Sequence, residues 1–291
     1  MTDKTFNKLR LFLVILICVL VTTMAVLWLY DDAMPSKSTD DAVIFLDVGQ
    51  GDSALIKSGE FAALIDTSTA TNGMNIAKKL RKEGVNDIDV LILTHPHDDH
   101  IGSAEFLLGE FPVSYIVLSD VLAQDDENAR CYKDIKDYAA NNGIDCRYAT
   151  EGMVINIGNF ELTVLMSDET AEDENDTSIV IMAENDGKKF LFMGDAEINA
   201  ETKLLTQGVN LDCDVLKVGH HGSNTSTSAR FLDVASPAFS VISCGKNNSY
   251  SHPHDIVLSR LIASKTAVLR TDVDGDIKFT FKDGKLVYTT D

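Results

Sequence analysis

From residue 42 onward the chain alternates short apolar runs with compact polar clusters, and the spacing of its apolar positions shifts between strand and helix periods. Residues 43–48, 53–57 and 61–65 are β-rich runs split by Gly49-Gln50-Gly51-Asp52 and Ser58-Gly59, which predicts a meander at a sheet edge. Ile76 and Leu80, four apart, predict a helix over 75–83 with Gly84 as its stop. Val90-Leu91-Ile92-Leu93 is apolar at every position, the pattern of a strand buried on both faces. A looser repeat then predicts helices at 103–108 and 127–141 around a strand at 115–118, and strands at 160–166, 178–183 and 189–193. A helix at 198–206, strands at 214–218 and 239–243, a helix at 256–263 and a hairpin of 277–281 with 286–289 complete the chain. Residues 161–176 are acidic and read as a solvated loop.

Polar clusters follow apolar strands repeatedly: His95 to His100 after 90–93, Gly194-Asp195 after 189–193, and His220-His221 after 214–218. Binding loops gather at the C-terminal ends of strands in open α/β sheets, so several strand ends are expected to converge on one site.

Residues 11–30 break this pattern with twenty uncharged positions, enough for a helix across a hydrocarbon core about 30 Å thick. Lys4, Lys8 and Arg10 precede the run while Asp31 and Asp32 follow it, so the positive-inside rule places the short N-terminus in the cytoplasm. The expected organisation is a cytoplasmic tail at 1–10, one transmembrane helix at 11–30, a polar linker at 31–41 and one extracytoplasmic domain at 42–291. The chain would then be a single-pass protein of the cell membrane. A cleaved signal peptide fits less well, because the apolar run is long and no small-x-small site ends it.

The chain has 291 residues, 45% of them hydrophobic, which sustains a sizeable core. Its net charge of −20 leaves no evident basic surface for gripping nucleic acid, although bound cations can invert the field locally at a site. The five cysteines show no CxxC spacing, which argues against a disulfide framework or zinc knuckle; Cys131 and Cys146 read as reduced, partly buried thiols.

All seven histidines fall into three clusters: His95, His97 and His100; His220 and His221; His252 and His254. His95 and His97, two apart on an extended segment, can present imidazoles to one ion, and Asp99 and His100 beyond them can serve a neighbouring ion. Asp195 sits at the mouth of an apolar strand, where it is either a helix N-cap or a carboxylate bridging two ions about 3.5–4 Å apart. Of His220 and His221 only one is expected to face the metal, with His220 preferred, and Ser223 and Thr225 then form a donor-rich loop suited to an anion. His252 and His254 flank Pro253 and are candidates to protonate a leaving group or hold a phosphate oxygen.

The run Thr94-His95-Pro96-His97-Asp98-Asp99-His100-Ile101-Gly102 resembles the metal-binding signature of the metallo-β-lactamase superfamily. More narrowly, residues 46–53, 192–197, 216–223 and 251–254 resemble the hydrolase domain of the ComEC/Rec2 competence proteins. The resemblance implies an α/β chain folded as a four-layer αββα sandwich with two divalent ions, zinc or manganese, at one edge. It assigns His95 and His97 to one ion, Asp99, His100 and His220 to the other, and Asp195 to both. Asp66, Asp47 and Asp52 become supporting groups, with Gln50 in the family's glycine-rich turn. No histidine lies between His100 and His220, where the superfamily usually supplies one; Asn175-Asp176-Thr177-Ser178 matches the Asn-x-x-Ser pattern of the competence branch instead. Fewer nitrogen ligands make manganese credible beside zinc.

The expected activity is metal-assisted hydrolysis of a phosphodiester, DNA among the candidates, by an ion-bound hydroxide. Asp99 orients that water and His254 protonates the leaving oxygen. The rival readings are hydrolysis of an envelope ester such as phosphocholine on teichoic acid, β-lactam or thioester hydrolysis, and a non-catalytic, metal-stabilised binding module.

Overall fold

The computed structural model describes residues 41–121 and 126–291, together with Thr22. Apart from Thr22, the expected membrane segment at 11–30, its cytoplasmic flank and nearly all of the linker lie outside the described residues. Among those described, no helix is long and apolar enough to cross a membrane. Asp41, the last residue of the expected linker, is buried and accepts hydrogen bonds from Ser58 Oγ (2.7 Å), Asn159 Nδ2 (2.9 Å) and Asn185 Nδ2 (2.8 Å), so the packed structure already includes it.

In chain order the first half carries β1 (Ala42–Phe45), β2 (Ala54–Ser58), β3 (Phe61–Ile65), α1 (Gly73–Lys82), β4 (Ile88–Leu93), α2 (Asp98–Ile101), α3 (Ala104–Glu110), β5 (Val113–Leu118), α4 (Asp126–Asn142) and β6 (Asp145–Tyr148). The second half carries β7 (Val154–Ile157), β8 (Phe160–Met166), β9 (Val180–Asn185), β10 (Lys188–Phe192), α5 (Ile198–Gln207), β11 (Val215–Lys217), α6 (Ala229–Ala235), β12 (Phe239–Ile242), α7 (Asp255–Ser264), β13 (Ala267–Arg270), α8 (Thr271–Asp274), β14 (Ile277–Lys282) and β15 (Lys285–Thr290). An eight-stranded sheet runs β15-β14-β1-β2-β3-β4-β5-β6, and a seven-stranded sheet runs β13-β12-β11-β10-β9-β8-β7. In each, antiparallel hairpins give way to a parallel run: β3 to β6 in the first and β10 to β13 in the second.

Strand alternation sorts side chains into three apolar layers. Val43, Phe45, Val90, Ile92, Phe190, Phe192 and Phe279 fill the space between the sheets. Ile44, Leu91 and Leu93, on the opposite face of the first sheet, pack under Ile76 and Leu80 of α1, Leu107 of α3 and Ile135 of α4. Leu191 and Leu216, on the outer face of the second sheet, meet Leu204 of α5, Phe231 of α6 and Leu261 of α7. The order is therefore helix, sheet, sheet, helix, as the resemblance implied.

The structure adds β6, β7, β13 and three short helices, α2, α6 and α8, that the apolar pattern does not reveal. β6 is exposed along most of its length, and α2 is a single turn, so neither carries a strong periodic signal. Within the expected acidic loop, Phe160, Leu162, Val164 and Met166 alternate inward as β8, so the loop begins only after them. Cys131 and Cys146 are free thiols packed against the helix-side layer.

Candidate functional site

The parallel strands of both sheets end at one edge, and the polar residues following them meet there. Asp66 follows β3, His95 to His100 follow β4, Asp195 follows β10, His220 and His221 follow β11, and Ser243 follows β12. The loop after β1 closes over this edge. Gly51 (φ +117°) brings it against α2, where a Cβ would collide with the Asp99 carbonyl that accepts from Asp52 N–H (3.0 Å).

At the centre, His100 Nε2 lies 3.2 Å from Asp195 Oδ1, while His221 Nε2 lies 3.2 Å from Asp99 Oδ2 and 3.4 Å from Asp195 Oδ2. His95 Nε2 is 4.0 Å from Asp195 Oδ2 and 3.1 Å from His97 Nδ1. The His97 Nε2 in turn meets Glu174 Oε2 at 3.0 Å. His95, His100 and Asp195 offer ligand atoms close enough for one ion, as do Asp99, His100 and His221.

Each ring is turned by a partner behind it. Asp66 takes Thr94 N–H and Thr94 Oγ1–H (both 2.8 Å) and holds His100 Nδ1 at 2.7 Å, which leaves His100 Nε2 toward Asp195. Ser178 Oγ accepts from Asp195 N–H (3.0 Å) and lies 3.3 Å from His95 Nδ1, so it ties these two residues together. His221 Nδ1 sits 3.0 Å from the Ser243 carbonyl, which can only accept, so Nδ1 carries a proton and Nε2 is the nitrogen that faces Asp99 and Asp195. Asp52 adds an oxygen 3.4 Å from the same Nδ1 and makes a buried ion pair with Lys217 Nζ (2.7 Å).

The two adjacent histidines diverge because both have left-handed backbone: His220 at φ 46°, ψ 48° and His221 at φ 52°, ψ 20°. Such residues cost roughly 1–2 kcal/mol each when they carry a Cβ, strain that characteristically sits at functional sites. His221 turns inward and is buried, whereas His220 stays partly exposed, with Nδ1 on Glu197 Oε1 (2.9 Å) and Nε2 3.8 Å from Asp195 Oδ2. The sequence preference for His220 thus differs from the placement, which sets His221 among the central carboxylates.

Burial opposes charge on His100, but the Asp195 and Asp66 carboxylates outweigh it and hold the ring's pKa well above the ordinary imidazole value. His221 is raised in the same way by Asp195 and Asp52. For Asp195, burial is likewise overcome by His100 and His221, which hold the carboxyl well below its ordinary range. Asp99 is lowered for similar reasons, with His221 its main partner. His95 goes the other way: burial and then the neighbouring His100 charge push it far down, so its ring is neutral.

Several buried atoms here have no hydrogen-bond partner among the described residues: His100 Nε2, His221 Nε2, Asp195 Oδ1, Asp52 Oδ1, Asn175 Oδ1 and His252 Nδ1. Leaving buried polar atoms unpaired costs about 1–3 kcal/mol each, so such a group calls for a binding partner. Two imidazole nitrogens and a carboxylate oxygen converging within hydrogen-bond distance fit a divalent cation that displaces the ring protons, and the Asn175 amide oxygen supplies a further hard donor.

The other expected residues are distributed around this centre. Gln50, Asn175 and His252 line an open cleft of about 540 Å3 with His97, Asp99, Asp195, His220 and His221. Asp47 is turned away, its carboxylate accepting from Gly49 N–H (3.2 Å) within the turn. Ser223 pairs with Thr225 (2.8 Å). His254 does not line the cleft; it caps α7, and its Nδ1 accepts from Asn224 N–H (3.0 Å). Sequence reasoning missed Glu174, hidden in the acidic stretch, and Lys217, whose signal was a charge inside an apolar strand. It also missed Tyr250, which lines the cleft beside His252.

A family model for the metallo-beta-lactamase superfamily matches residues 46–246. The chain is 32% identical over 282 residues to ComE operon protein 3 of Bacillus subtilis (strain 168), an alignment covering 90% of this chain and 35% of that protein. It is also 32% identical to Competence protein ComA of Neisseria gonorrhoeae over 252 residues, 85% of this chain and 33% of that one. For Recombination protein 2 of Haemophilus influenzae the identity is again 32%, over 83% of this chain and 29% of the relative. The chain therefore spans about a third of the length of these relatives. Among solved structures, the metallo-beta-lactamase fold protein YhfI from Bacillus subtilis superposes with a TM-score of 0.54 at 14% identity, covering 79% of this chain and 96% of that one. Igni18, a metallo hydrolase from Ignicoccus hospitalis, gives 0.52 at 15% identity, with 83% and 100% covered. At these identities the likeness is one of fold.

Proposed function

This chain belongs to the metallo-β-lactamase superfamily, and from that premise we propose that it is a divalent-metal-dependent phosphodiesterase, with DNA or RNA as substrate, acting outside the cytoplasmic membrane. The observation that carries the reading is the buried convergence of His100 Nε2, His221 Nε2 and Asp195 Oδ1, none of them in a well-formed hydrogen bond, beside an open polar cleft that Asp195 and His221 line. Asp99, His100, His221 and Asp195 would hold one ion. His95, His97, Asp195 and the Asn175 amide oxygen would hold the other, a mixed set that suits zinc or manganese. Divalent ions bound there supply Lewis acidity, polarising phosphoryl oxygens and lowering the pKa of an attacking water toward about 7.

The chain's own residues do the positioning. Asp99 stays ionised, so its carboxylate accepts a hydrogen bond from the attacking water and aims it rather than carrying its proton away. His252 is held neutral, its pKa pushed down to about 4 by burial and the nearby His221 and His220, and it hydrogen-bonds a phosphoryl oxygen from the cleft wall. His254 lies behind it, the ring centroids 5.0 Å apart and Nδ1 accepting from Asn224 N–H, so it supports the His252 ring and is not placed to protonate the leaving oxygen.

A phosphodiester is favoured over a compact ester because the cleft is open and lined by amide, hydroxyl, imidazole and carboxylate groups. The relatives named for competence and recombination support a nucleic-acid substrate. The extracytoplasmic placement rests on the charges flanking residues 11–30. The test is cleavage of single-stranded DNA, duplex DNA, RNA and a bis-aryl phosphodiester by the full chain with manganese or zinc. If no phosphodiester is cut in a metal-dependent way, the proposal is rejected.

A further inference from the structure

One wall of the cleft is aromatic. Tyr250 is 61% exposed and stacks on His252, with ring centroids 5.6 Å apart and planes 24° from parallel. His252 stacks in turn on His221, at 6.2 Å and 28°. Three near-parallel rings thus step from solvent down to the imidazole at the centre of the site.

This ledge is braced from two sides. The Asn248 side chain clasps the loop: its Oδ1 accepts from Tyr250 N–H (3.2 Å) and His252 N–H (2.9 Å), and its Nδ2 donates to the Gly245 (2.9 Å) and His252 (2.6 Å) carbonyls. Gln50 Oε1 accepts from Gly245 N–H (3.2 Å), and a Cβ on Gly245 would lie 2.7 Å from Gln50 N, so the loop rests directly on the turn at 49–51. An aromatic ring held this way offers a planar face at small entropic cost.

The charge of the site makes that face necessary. Among the described residues, no lysine or arginine lines the cleft, whose lining includes Asp98, Asp99 and Asp195. Binding of a nucleic acid strand through basic contacts to its backbone is therefore weak here. Stacking on a base needs no positive charge and tolerates any sequence.

We propose that Tyr250 is a stacking platform for the nucleobase next to the scissile phosphate, which makes the site selective for base-bearing phosphodiesters over polyol phosphates. The proposal rests on the phosphodiesterase reading and adds a base subsite to it. Binding of dAMP and of deoxyribose 5-phosphate to the full chain in the presence of manganese tests it by calorimetry, alongside Tyr250→Ala and Tyr250→Phe. The wild type is expected to bind dAMP more tightly than the sugar phosphate. Tyr250→Ala should erase that preference, weakening dAMP by about 5- to 150-fold, the range for loss of one base–aromatic stack. Tyr250→Phe should retain it, and sugar phosphate affinity should not change in either variant. Equal binding of the two ligands by the wild type, or an unchanged preference in Tyr250→Ala, would overturn the platform. Failure of the catalytic reading shows separately, as a wild type that cuts no phosphodiester while still binding dAMP through Tyr250.

Discussion

His221 Nδ1 lies 3.0 Å from the carbonyl oxygen of Ser243, and this one contact fixes which nitrogen of the ring faces Asp99 and Asp195. His220, its neighbour in the chain, stays at the cleft wall, with Nδ1 on Glu197 Oε1 and Nε2 3.8 Å from Asp195 Oδ2.

Replacing His221 by Ala is therefore expected to remove about one equivalent of metal per chain, while His220→Ala retains both ions with a modest loss of affinity. Metal content after dialysis, measured by elemental analysis, decides between them. The reverse order would return the ligand role to His220.

Asp66 is expected to act through His100. Asp66→Asn should lower metal affinity by roughly 10- to 100-fold, as loss of an orienting carboxylate generally does. Competition with a chromogenic chelator measures it; affinity within two-fold of wild type would show that Thr94 and the strand alone orient the ring.

Proton linkage gives a third expectation. His100 and His221 have folded pKa values above their unfolded ones, so their charged forms stabilise the metal-free fold. That contribution is complete below an unfolded value of about 6.5 and is lost as pH rises through the folded values. Asp99 and Asp195, shifted downward, stay ionised across the whole of that window. Metal needs both rings neutral, so uptake at pH 7 should release protons and apparent affinity should rise with pH. Calorimetry in two buffers of different ionisation heat counts the protons, and a count of zero would contradict the arrangement.

Lys217 and Asp52 form a buried pair between the sheets, 2.7 Å apart. Lys217→Met alone should destabilise the metal-free chain by up to about 3–5 kcal/mol, because it leaves the buried Asp52 carboxylate with His221 Nδ1, 3.4 Å away, as its remaining ion-pair partner. Combined with Asp52→Asn, the loss should be smaller than the sum of the two single changes. Denaturant titrations of the four proteins close this cycle, and strict additivity would show that the two groups are not coupled.

Much of this edge is legible in the chain because it obeys simple patterns. The uniformly apolar run Val90 to Leu93 announces a buried strand, and the histidines after it announce a site. The edge strand β6 and the single turn α2 escape notice because exposure and shortness erase their periodicity. The inward turn of His221 is hidden for another reason. Neighbouring side chains on an extended strand point to opposite faces, but two successive left-handed residues follow no such rule, and their conformation is imposed by contacts with Ser243, Asp52 and Glu197 from distant parts of the chain. Glu174 is unreadable in the same sense: one carboxylate among many in an acidic stretch becomes distinct only once it meets His97.

Apart from the terminal hairpin of β14 and β15, the first sheet is drawn from residues 42–148 and the second from residues 154–270. Asp99 and His100 come from the first stretch, Asp195 and His221 from the second. A cation gripped by all four would act as a clasp between two halves of the polypeptide, so that cutting the chain in the exposed turn at Glu151 and Gly152 would yield two fragments that hold each other more tightly with metal than with a chelator.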